Sequence, residues 1–108
     1  MVDLMSPAAV ANRLEIDAVL CERDALRFTP AGIAMLTASV RHESRQMEAS
    51  RARSVEFELQ AVFAGAVAER ADRLPLGRAL HLAGFIALRR RGGKVVALHV
   101  NEFLEIDS

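Results

Sequence analysis

RFTPAGIAMLTASVRHES, residues 27–44, divides into a turn and a strand. Pro30 fixes φ at the first central position and Gly32 has the freedom that a positive φ needs, so Thr29-Pro30-Ala31-Gly32 reads as a β-turn. Ala34, Leu36, Ala38 and Val40 then fall on one face, and Met35, Thr37, Ser39 and Arg41 on the other. That period of two marks a strand with one side buried.

The same period recurs on both sides of this stretch. Upstream, Leu14, Ile16, Ala18 and Leu20 alternate with Arg13, Glu15, Asp17 and Val19 in a first strand, and the connection carrying Glu22, Arg23, Asp24 and Arg27 suits a solvent-exposed loop. Downstream, residues 42–52 are rich in Glu, Ser and Arg and lack periodicity, which predicts a long mobile loop. Val55, Phe57, Leu59, Ala61 and Phe63 then alternate with Glu56, Glu58, Gln60 and Val62, a third strand with an apolar inner and an acidic outer face.

At residue 65 the period changes. Val67, Ala71 and Leu74 stand at i, i+4 and i+7, and Pro75 and Gly77 end the pattern, so a short helix of about two to three turns is expected. Leu80, Leu82, Gly84, Ile86 and Leu88 form the inward face of a fourth strand, where Gly84 allows a sharp bend or a close backbone approach. Arg89-Arg90-Arg91-Gly92-Gly93-Lys94 reads as a basic hairpin tip. Val96, Leu98 and Val100 make a fifth strand, prolonged over residues 101–106 across a bulge after which alternation restarts at Leu104 and Ile106.

Strand, strand, strand, short helix, strand, strand is the order of the oligonucleotide-binding (OB) fold. The expected architecture is therefore all-β: a five-stranded Greek-key barrel with a short helix between strands three and four, its ligand face around strands two and three and the loops after strands one and four. Residues 12–108 form the single domain and residues 1–11 a flexible N-terminal arm.

Composition narrows the class without naming a ligand. Fourteen Lys plus Arg balance fourteen Asp plus Glu, so the distribution of charge must carry any argument about nucleic acid. The single cysteine, Cys21, excludes an internal disulfide and a Cys/His zinc cluster. The opening residues lack the basic and continuous apolar regions of a signal peptide, and no apolar run reaches the roughly 20 residues of a membrane span. A cytoplasmic protein with no membrane association is expected. His42, His81 and His99 have no metal-binding spacing, and the serines no nucleophile-elbow context, so no catalytic residue, metal or cofactor is expected.

Residues 27–44 resemble the corresponding segment of the bacterial single-stranded DNA-binding protein superfamily, and more closely its primosomal replication protein N (PriB) branch. Gly84-Phe85-Ile86 after Leu80 and Leu82, and the ending from Ala97-Leu98-His99 to Leu104-Glu105-Ile106-Asp107, are similar to the same branch, so the resemblance covers residues 12–107. It implies a homodimer of OB folds that binds single-stranded DNA and acts with the primosomal helicase PriA and other primosome proteins in replication restart. The better-known enteric members have a Trp early in strand three and a Phe in the preceding loop as stacking platforms. Here Glu56 stands at the first position and residues 43–52 contain no aromatic.

The DNA-binding residues expected on these grounds are mostly cations. Arg89, Arg90, Arg91 and Lys94 place four charges within six residues of one OB ligand loop. Arg41 ends the second strand, Arg27 and Phe28 open the turn, and Arg45, Arg51 and Arg53 can stack on bases and pair with phosphate. Phe28 and Phe85 are candidates for stacking or for packing, whereas Phe57 and Phe63 lie on the apolar face and read as core. A second reading comes from the acidic face at Glu56 and Glu58: an OB-fold protein-interaction module with weak nucleic-acid binding. RNA is a third, because stacking and phosphate contact do not select the sugar.

Overall fold

The alternation read from residues 27–44 becomes the wall of a barrel in the computed structural model, which describes residues 10–106. Ala34, Leu36, Ala38 and Val40 are all buried, while Met35, Thr37 and Ser39 stay half-exposed. The elements are β1 (Leu14–Arg23), β2 (Arg27–Phe28), β3 (Ala34–Glu48), β4 (Arg51–Ala64), α1 (Ala66–Ala71), β5 (Ala79–Leu88) and β6 (Val96–Glu105). Apart from the two-residue β2, these are the expected five strands with one short helix between the third and fourth. The expected N-terminal arm lies outside the described residues over positions 1–9.

The sheet runs β1-β5-β6-β4-β3-β2, and a further β1–β3 pairing closes it. Two local devices allow closure. Cys21 is an extra residue between the pairs Leu20↔Val40 and Glu22↔Ser39, and there β1 passes from β5 to β3. Asn101 is likewise extra, because Ala83 pairs with Glu102 and Gly84 with Val100. At that corner a Cβ on Gly84 would collide with the His99 carbonyl oxygen, so only glycine fits. The circle is completed by a short parallel contact of β4 with β6 over Ala61↔Leu98, Val62↔His99 and Phe63↔Val100.

Phe63 and Phe103 meet edge to face at the lower end of the barrel with centroids 6.0 Å apart. Ala68, Ala71 and Leu74 of the helical segment close that end. Arg23 holds the helix from β1: its Nη1 donates to the carbonyls of Leu74 and of Ala71 (3.3 Å), the latter also accepting from the Leu74 N–H at 3.2 Å.

Four expectations need correction. Residues 42–52 are not a mobile loop: β3 continues to Glu48, and every residue from Met35 to Glu48 pairs with β4 in unbroken register. The segment is polar because this ribbon leaves the barrel and meets water on both faces. Phe57, expected in the core, lies on that ribbon and is 41% exposed. After the β6 bulge the inward residue is Phe103, 4% exposed, whereas Leu104 is 69% exposed, since the extra residue shifts the alternation by one. Val96 is exposed and Ala97 buried at the start of the same strand.

Candidate nucleic-acid interface

The β5–β6 connection follows from its sequence. Leu88 and Val96 are the last paired residues, and the Arg89 N–H donates to the Val95 carbonyl at 2.8 Å, fixing the neck of the loop. Gly92 takes φ +77°, and the Gly93 N–H donates to the Arg90 carbonyl at 3.0 Å. The turn thus uses one of its two glycines for positive φ. Arg89, Arg90, Arg91 and Lys94 are exposed, and none forms an ion pair among the described residues. Four uncompensated cations on a short fixed loop suit a polyanion.

Arg27 and Phe28 project from the other ligand loop. Both are exposed, Phe28 at 60%, and they pair with Met35 and Ala34. The turn behind them forms as its residues require: the Gly32 N–H donates to the Thr29 carbonyl at 2.8 Å, and Gly32 sits at φ +85°.

The ribbon divides its cations. Arg45 stands opposite Ser54 on the outer face, whereas Arg51 and Arg53 share the inner face with Val55 and Phe57. Arg53 is paired with Glu48 at 3.1 Å, and Arg45 reaches the Ser54 hydroxyl at 3.4 Å. Arg41 is the most engaged of the expected residues. Its Nη2 bonds Glu43 Oε1 at 2.7 Å and also Glu56 Oε1, and these carboxylates, Glu43 first, raise its already high pKa. Glu58 lies directly across the strand from Arg41, so the outer face holds three carboxylates against Arg41 and Arg45.

The sequence excludes a metal or catalytic centre at the histidines and places His42 beside Arg41 at the end of the ligand strand; in the structure His42 and His81 have both ring nitrogens engaged. His42 directs Nδ1 at the Asp17 carbonyl and Nε2 at the Ser44 hydroxyl, both at 2.7 Å; a carbonyl only accepts, so Nδ1 carries the proton. Its ring tilts against Phe57 with centroids 5.2 Å apart. His81 lies between two carboxylates, with Nδ1 2.6 Å from Asp17 and Nε2 3.3 Å from Glu15, and hydrogen bonding to Asp17 and then Glu15 raises its pKa. His99 differs: it stacks on Phe85 with centroids 5.1 Å apart and planes 11° apart, and its buried Nε2 has no partner. No group of three or more metal-ligating side chains occurs among the described residues.

A closed five-stranded barrel with a helix at its lower end and a cationic loop between its last two strands defines an OB-fold protein. Residues 12–102 match the model of another single-strand binding protein family. Replication restart protein PriB of Bordetella pertussis is 37% identical over 91 residues, covering 84% of this chain and 85% of that one. PriB from Ralstonia solanacearum superposes with a TM-score of 0.82 at 34% identity, covering 89% of this chain and 98% of that one. The single-stranded DNA binding protein of Thermus aquaticus, 20% identical, shares the fold with a TM-score of 0.72 over 90% of this chain and 50% of that one. The chain belongs to the PriB family of replication restart proteins, within the single-strand binding proteins. The family is one of binding proteins rather than enzymes. No helix among the described residues is long and apolar enough to cross a membrane.

Proposed function

We propose that this chain is a cytoplasmic single-stranded DNA-binding accessory protein of the replication-restart primosome. The observation that carries the reading is the loop with Arg89, Arg90, Arg91 and Lys94, four exposed cations without carboxylate partners on an OB barrel. Arg27 and Phe28 in the β1–β3 connection, and Arg45, Arg51 and Arg53 on the ribbon, extend the contact to phosphates and bases. The protein acts as a homodimer and contacts the primosomal helicase PriA and other primosome proteins; kinship with the PriB proteins supports this part.

Anisotropy of labelled oligo-dT at two salt concentrations tests it. About three phosphate contacts in the loop give a slope of log K against log[salt] near about −2, at about −0.7 per contact for a single strand. Arg89→Ala/Arg90→Ala/Arg91→Ala removes most of that slope, and light scattering on the same samples reads the dimer. Binding that ignores salt, or none at micromolar protein, leaves the second reading: a protein-interaction module with weak nucleic-acid binding. The carboxylates Glu43, Glu56 and Glu58 on the sheet face favour that reading.

A further inference from the structure

We propose that the Phe85–His99 pair is a stacking site for a nucleobase, placed on the β5–β6 face of the barrel. The inference rests on the single-stranded DNA reading above and adds the place where a base is held. Phe85 and His99 are opposite each other in the β5–β6 ladder, on the outer side of the sheet, with rings parallel to within 11° and 5.1 Å apart. Two half-exposed flat rings already in parallel array form a platform that a third flat ring can extend.

What surrounds the platform suits a base. A cavity of about 350 Å³ adjoins it, lined by Val62, Ala64, Val67 and Asn101 besides the two rings. No carboxylate lines it. The contrast is with the other aromatic pair, His42–Phe57, whose cleft is lined by Glu15, Asp17 and Glu43 and repels a polyanion. Polar recognition is also in reserve. His42 and His81 each commit both ring nitrogens, whereas the Nε2 of His99 is sealed from water and bonded to nothing, so turning that ring sacrifices no bond at this atom. An imidazole nitrogen and the exposed Asn101 amide offer a donor and an acceptor to the edge of a base.

The geometry joins this site to the cationic loop. Phe85 lies on β5 and Arg89 is the first residue after that strand ends, four residues on, about 13 Å at about 3.3 Å per residue. A DNA strand whose phosphates lie on Arg89–Arg91 therefore brings a base to Phe85 within a few nucleotides.

The test compares oligo-dT with an abasic oligomer of equal length and charge. Wild-type protein binds oligo-dT more tightly, and Phe85→Leu or His99→Gln weakens oligo-dT binding by about tenfold while leaving the abasic oligomer unaffected. In unaltered protein, the aromatic ¹H–¹³C resonances of Phe85 and His99 shift on adding oligo-dT and not on adding the abasic chain, a readout that needs no variant to fold. Absence of binding to either oligomer overturns the DNA reading and this site with it. Equal binding of both, with those resonances unmoved, overturns the stacking site alone. Resonances that respond to protein concentration and not to DNA show the face to be covered by a second copy, which also overturns it.

Discussion

Arg41 illustrates how a residue's neighbours decide what it can offer. Read from the sequence it is a free cation at the end of a ligand strand; in the fold, Glu56 reaches it diagonally from β4, being the partner of Glu43, while Glu43 approaches along its own strand. A phosphate must compete with two carboxylates for this guanidinium. Glu43→Gln/Glu56→Gln is therefore expected to raise affinity for oligo-dT and to steepen the salt dependence by about 0.7, one added phosphate contact, as anisotropy across a salt series will read. His81 gives a prediction of opposite character. Hydrogen bonding to Asp17 and Glu15 raises its folded pKa above the unfolded value of 6.5, so the stabilisation is fully present below the unfolded pKa and is lost as pH rises through the folded one. Thermal unfolding midpoints should thus fall over that interval in the native protein, and His81→Gln should flatten this component. Neither environment was legible in the chain: Glu15 and Asp17 are more than sixty positions from His81, and only the β1–β5 register joins them.

At the level of elements, period two and turn chemistry made most of the barrel readable, and the failures have identifiable causes. The turn at Thr29-Pro30-Ala31-Gly32 carries its usual residues and forms where expected. The hairpin between β3 and β4 does not: Ala49 and Ser50 adopt φ +52° and +64°, a left-handed pair that sequence rules assign to Asn-Gly. Without that mark, and with polar residues on both faces, a fifteen-residue strand resembled a loop after its first half. Ala49→Asn/Ser50→Gly should accordingly stabilise the protein by about 1 kcal/mol, since it relieves two residues of an unfavourable backbone region. Urea unfolding with a higher midpoint and an unchanged slope will register this. The β6 bulge misled in another way. Asn101 moved Phe103 inward, and no residue type announces an insertion of one in a ladder.

For the molecule as a whole, the sequence made the architecture legible and left the charge map obscure. Net charge is zero, yet the cations of the β5–β6 loop stand free while those on the ribbon and sheet are partly neutralised by their neighbours. Composition sums over surfaces that the fold keeps apart. The short parallel contact between β4 and β6 has a temporal consequence. β6 lies between β5 and β4, and it leaves the ribosome after the other four strands of the barrel. The β3–β4 ribbon is a local pairing and can form early, but β4 and β5 keep bare edges until β6 inserts between them. Closure of the barrel therefore waits for β6, and the interval before it is the one in which this chain is open to pairing with a neighbour instead of with itself.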